Sequence, residues 1–134
     1  MFFLLGRDCH GCGVAQTSSN GLELIVAGGD TQNGTKSTEI YNFETNEWRA
    51  GQDLPHQMEF PASVQFGDSF LLVGGTNYVR HEEDGNFDMI YLDTIYQWDS
   101  DTESFALRPE KMSVGVTAVG AVMVTEDVVS CDSD

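Results

Sequence analysis

Two octets, Tyr41-Asn42-Phe43-Glu44-Thr45-Asn46-Glu47-Trp48 and Trp98-Asp99-Ser100-Asp101-Thr102-Glu103-Ser104-Phe105, carry an aromatic at either end and Thr at the same internal place, 57 residues apart. Polar turn formers between two aromatics make a hairpin that brings the flanking rings together. Upstream of each octet an apolar run of strand length ends in a glycine doublet: residues 22–27 close at Gly28-Gly29 and residues 69–73 at Gly74-Gly75, 46 residues apart. Such a doublet permits positive φ or close backbone approach at a strand end. Downstream, Pro55-His56-Gln57-Met58 and Pro109-Glu110-Lys111-Met112 share Pro-x-x-Met at a spacing of 54. One period of 46 residues, with an 11-residue insertion after Gly75 and a three-residue deletion after Phe105, reconciles the three spacings. Chance can give one such match; three in order indicate an internal repeat.

Length and composition agree with a small folded unit. The chain has 134 residues, 40% of them hydrophobic, enough for about one domain with a core. Turn residues interrupt every ~8–12 positions and no apolar pattern keeps helical spacing over three turns, which marks an all-β chain of short antiparallel strands. The net charge of −16 repels phosphate backbones and anionic headgroups, so neither nucleic acid nor a membrane surface is an expected partner. No stretch reaches the ~20 apolar residues that would span a bilayer. The apolar start Phe2-Phe3-Leu4-Leu5 stops at Gly6-Arg7-Asp8 without a basic leader, and reads as a strand or a truncated start rather than a secretory signal. Three cysteines, Cys9, Cys12 and Cys131, are too few for a disulfide framework. The compartment stays open between cytoplasmic and extracellular.

A Gly-Gly doublet, then an aromatic, then another aromatic seven residues later, at a period near 50, resembles the kelch repeat. The residues carrying the resemblance are Gly28, Gly29, Tyr41 and Trp48 in one copy and Gly74, Gly75, Trp98 and Phe105 in the other. It implies β-propeller blades, each a four-stranded antiparallel sheet. Blade I is expected at about 9–50, with strands near 13–16, 23–27, 38–42 and 47–49. Blade II is expected at about 58–107, with strands near 62–66, 69–73, 94–98 and 104–107. A partial blade III falls at about 113–131, with strands near 117–124 and 128–131, and 132–134 is an acidic tail. Closed propellers take ~4–8 blades, so the expectation is an incomplete ring, a piece of a longer protein.

Candidate chemistry is sparse. Cys9-His10-Gly11-Cys12 has chelating spacing, but zinc wants four ligands and His56 and His81 lie in distant loops. Asp99, Asp101, Glu103 and Glu110 follow calcium-loop spacing, yet Ser104 replaces the glycine of the sharp turn. Neither a nucleophile with its base nor a phosphate-binding glycine loop is present in the sequence. No catalytic residue, metal or cofactor is therefore expected. The feature that invites recognition is the insertion at 76–91, an acidic loop on the face shared with 30–36, 51–61 and 108–113. Tyr78, Arg80, His81, Glu82, Glu83 and Phe87 are its candidate contacts, with a basic segment of a protein partner as the complement. The expected role is a non-enzymatic protein-interaction or scaffold module. The resemblance also implies two alternatives: part of a propeller enzyme, galactose-oxidase-like or a sugar-acid epimerase, or the substrate-recognition part of a ubiquitin-ligase adaptor.

Overall fold

The computed structural model describes residues 6–30, 35–117 and 120. Ten strands run β1 (Gly11–Thr17), β2 (Gly21–Ala27), β3 (Thr38–Asn42), β4 (Glu47–Ala50), β5 (Ala62–Phe66), β6 (Ser69–Val73), β7 (Thr76–Arg80), β8 (Phe87–Tyr91), β9 (Thr94–Asp99) and β10 (Ser104–Lys111). They form two four-stranded antiparallel sheets, β1-β2-β3-β4 and β10-β9-β6-β5, plus the separate pair β7-β8. The eight blade strands match the expected positions to within a few residues at their ends. The expected third-blade strands fall almost wholly outside the described residues.

The octets fold as their residue types dictate. Tyr41 and Trp48 face each other across β3 and β4 with ring centroids 5.2 Å apart, and Trp98 and Phe105 do so across β9 and β10 at 5.1 Å. Each turn opens on a carboxyl or amide oxygen that caps the next amides: Asn42 Oδ1 accepts from the N–H groups of Glu44 and Thr45, and Asp99 Oδ1 from those of Asp101 and Thr102. Each turn closes on a left-handed residue, Asn46 at φ 59° and Glu103 at φ 50°. Asn tolerates that conformation and Glu does not favour it. Glu103 is held there by a second interaction, because its carboxylate binds Arg49 of the other sheet.

The two sheets stack face to face. On β1 the small residues Gly11, Gly13 and Ala15 share one side, and Leu72 and Phe70 of β6 lie against the two glycines. Around them Ile25, Ile40, Leu54, Met58, Tyr96 and Trp98 complete a single core between the sheets. The second copy thus turns its aromatic pair, Trp98 and Phe105, into the core it shares with the first sheet, whose glycine-bearing strand β1 faces it. At the outer rim Arg49 forks onto Glu23 at 2.7 and 3.1 Å and reaches Glu103, tying β2 and β4 to the β9–β10 turn. Glu23 foremost, with Glu103, lifts the guanidinium above its usual range against the opposing effect of burial.

Both doublets are left-handed, with φ of 66° and 95° at Gly28 and Gly29 and of 67° and 104° at Gly74 and Gly75. Gly29 N–H donates to Met58 O and Gly75 N–H to Val116 O, both at 2.8 Å. This corrects the Pro-x-x-Met alignment. Leu54 N–H donates to Lys36 O as Met112 N–H does to Asp93 O, so Leu54 and Met58 correspond to Met112 and Val116. The second copy therefore gains a residue after Phe105 instead of losing three. The register shift between Leu107 and Lys111 on β10 absorbs it.

The insertion also differs from expectation. It is a β-hairpin, with β7 and β8 in register from Thr76↔Tyr91 to Arg80↔Phe87 and a turn containing Gly85 at φ 73°. Asp84-Gly85 between two strand-forming runs is the local reason.

Candidate functional site

The hairpin grows directly from the second doublet, and its base is tied to the segment leading into blade II. Thr76 and Glu59 exchange both backbone bonds, at 2.7 and 2.9 Å. The same bridge occurs one copy earlier, where Asp8 and Asp30 exchange bonds of 3.2 and 2.8 Å. The residue following each bridge, Cys9 and Phe60, is left-handed at φ 52° and 54°, and Phe60 N–H donates to Cys9 O. Strain recurring at equivalent places belongs to the architecture. Phe60 is 40% exposed, and its neighbour Glu59 lies within electrostatic range of Asp30 and Asp8.

Charge crowding shows in the ionisable groups. Burial first, then Asp30 and Asp8, raises Glu59 above the usual carboxylate range. Tyr78, pointing from β7 toward this cluster, is raised by burial and then by Glu59. The Cys9 thiol is raised by burial and then by Asp8, which favours the inert protonated form.

Farther out, the hairpin bears the remaining expected contacts. Arg80 lies over the Phe87 ring at 6.0 Å, and His81 Nε2 is 2.9 Å from Asp88 Oδ2. Glu82 and Glu83 are exposed at the tip. Asp84 accepts from the backbone and side-chain nitrogens of Asn86, and these bonds lower its pKa. The six expected residues do not form one cluster: Tyr78 joins the carboxylates at the base, whereas Arg80, His81, Glu82, Glu83 and Phe87 occupy the outer end. Sequence reasoning missed the basal group of Asp8, Asp30, Glu59 and Phe60, and the apolar side chains of β8. The bridged pairs are distant in sequence, so no local pattern announces them; β8 was hidden by reading 76–91 as a loop.

No group of three or more His, Cys, Asp and Glu among the described residues could hold a metal ion. His56 is engaged with Gln57 O at 2.8 Å and with the Tyr96 hydroxyl at 3.2 Å. An open groove of about 710 Å³ runs along Phe66, Trp98 and Arg108, and its lining contains neither His nor Cys. Among the described residues no helix is long and apolar enough to cross a membrane.

The kelch motif matches residues 8–55, the span of the first sheet and its tied loops. That span carries a kelch motif. It is 29% identical over 101 residues to Kelch-like protein 41b of Danio rerio, a match covering 73% of this chain and 16% of that protein. The structure superposes on a fungal alcohol oxidase of the AA5 family, solved in complex with copper, with a TM-score of 0.58 and 14% identity over 81% of this chain and 23% of that one. At that identity the likeness is one of fold. The chain therefore spans about a sixth of the curated relative it matches.

A stability prediction follows from the basal cluster. Glu59 titrates higher in the fold than in an unfolded chain, so its contribution to stability is full below the ordinary carboxylate range and is lost as pH rises through the raised value. Glu59→Gln is expected to raise the melting temperature at pH 7 relative to the parent, with the gain shrinking toward pH 4. Thermal denaturation at both pH values checks it; a lower melting temperature at pH 7 would contradict it.

Proposed function

We propose that this chain is a protein-interaction module whose recognition face consists of the β7–β8 hairpin and the basal group of Asp8, Asp30, Glu59 and Phe60. One observation carries the reading: all five residues of β8 are exposed, with Phe87 at 60%, Met89 at 54%, Ile90 at 45% and Tyr91 at 53%. Large apolar side chains held out on an ordered strand gain nothing for the fold, and contiguous patches of this kind on rigid scaffolds mark partner surfaces. Glu82, Glu83, Asp84 and Asp88 against Arg80 make the hairpin acidic. The complement is a basic protein segment.

Binding such a segment stabilises the ionised form of Glu59. Affinity for a basic partner should therefore rise with pH across the titration of this carboxylate. The test is affinity capture with the parent chain and with a version in which residues 77–90 are replaced by a two-residue turn. Loss of specific, salt-sensitive partners on replacement supports the proposal. Retention of the same partners, or stoichiometric copper in the purified full-length protein, overturns it.

A further inference from the structure

β8 is an edge strand with little protection. Natural edges are blunted by charges, Lys above all, by Pro or by a bulge; Phe87-Asp88-Met89-Ile90-Tyr91 has a single charge, Asp88, no Lys or Pro, and an unbroken register with β7. Among the described residues no strand pairs with its other side. The ladder fixes which backbone groups are free. His81 N–H donates to Asn86 O at 2.8 Å, and bonded and non-bonded pairs alternate along an antiparallel ladder. The residues directing N–H and C=O away from β7 are therefore Phe87, Met89 and Tyr91. Gly115 covers the Tyr91 carbonyl, since a Cβ there would lie 2.0 Å from that oxygen. The other outward groups have no backbone partner among the described residues.

The side chains divide by face. Tyr78, Arg80, Phe87, Met89 and Tyr91 lie on one side of the hairpin, and Asn77, Val79, Asp88 and Ile90 on the other. A strand added beside β8 would meet an aromatic and apolar row on the first side. On the second it would meet Asp88, and toward the tip Glu82, Glu83 and Asp84.

We propose that the partner binds by β-strand addition: an extended basic segment, alternating apolar with Lys or Arg residues, pairs with the free edge of β8 through Phe87 and Met89. This rests on the proposed recognition face and specifies how it works. Charge selects the occupant. A second copy would offer the same apolar edge but bring four carboxylates against four with a single Arg on each hairpin, which disfavours self-pairing. A basic strand turns the same charges into attraction, while the backbone bonds supply affinity of the kind seen in strand addition.

The test uses the full chain and a synthetic, end-blocked peptide of alternating Val and Lys, about ten residues long, followed by calorimetry and amide exchange. Expected are saturable binding and slowed exchange at the Phe87 and Met89 amides. Methylating alternate backbone nitrogens of the peptide on one edge should weaken binding by about tenfold or more, while methylation on the other edge should not. Met89→Pro, which removes one outward N–H, should weaken the unmodified peptide similarly. Equal binding of all methylated forms overturns strand addition but leaves the recognition face intact, provided hairpin replacement still loses partners. A chain that dimerises through β8 without peptide overturns the proposal in favour of a second copy. No binding of the peptide at millimolar concentration also overturns it, and hairpin replacement then decides independently whether the face itself stands.

Discussion

Gly13→Val is expected to leave the chain largely unfolded at 25 °C, and Gly13→Ala to destabilise it by about 3 kcal/mol or more. A Cβ at Gly13 would sit 2.2 Å from Cγ of Phe70. The ring cannot retreat: Phe70 is fully buried and packs edge-on against Phe105 at 5.6 Å. Overpacking of a tight core commonly costs about 1–3 kcal/mol, and here the clash falls on the ring centre between two sheets. Against a total stability of about 5–15 kcal/mol, valine exhausts most of the margin. Urea unfolding checks this. Gly6→Ala is the control, because nothing lies within 4 Å of that position. Phe70→Leu should recover part of the loss in the Gly13→Ala background.

Arg7→Ala should be comparably severe. The Arg7 guanidinium and the Glu39 carboxylate are paired at 2.5 Å with side chains only 1% and 4% exposed. Arg7 also donates to the carbonyls of Gly28 and Ser37 at 2.9 and 2.8 Å and to the Ser37 hydroxyl at 2.9 Å. It thus holds the first doublet, the start of β3 and its own segment together. Removing it leaves a carboxylate buried without its cation, a change that typically costs about 3–5 kcal/mol. The double change Arg7→Met with Glu39→Leu should lose less than Arg7→Ala alone, because both charges then go together. If the double variant were the less stable of the two, the unpaired-charge account would fail.

These sites show what the sequence could and could not disclose. The octets were legible because strand pairing and turn chemistry act within eight residues: Tyr41 meets Trp48 and Trp98 meets Phe105 as their spacing requires. Positive φ at the doublets was legible for the same local reason. The offset after Phe105 was misread because Pro-x-x-Met recurs by residue type, whereas the backbone partners of Leu54 and Met112 define the true correspondence. The hairpin at 76–91 was announced by Asp84-Gly85, but treating it as an insertion to be skipped concealed its strands. Arg7 was unreadable as a structural residue: a lone arginine after an apolar start gives no sign of Glu39, 32 residues away. The basal carboxylates met the same limit: the Asp8–Asp30 and Glu59–Thr76 bridges continue the registers of β1–β2 and β5–β6, but Glu59 comes into range of Asp8 and Asp30 only when the sheets stack.

Fold and proposed recognition face both require two copies of one sheet lying face to face, with the β7–β8 hairpin growing from the second. The most direct measurement is the proton spectrum of Gly13. Packed on the Phe70 ring, its α-protons should be shifted strongly by the ring current and show nuclear Overhauser contacts to the Phe70 aromatic protons, with matching contacts from Gly11 to the Leu72 methyls. Unshifted Gly13 α-protons without those contacts would mean that the sheets do not stack, and the face described here would not exist.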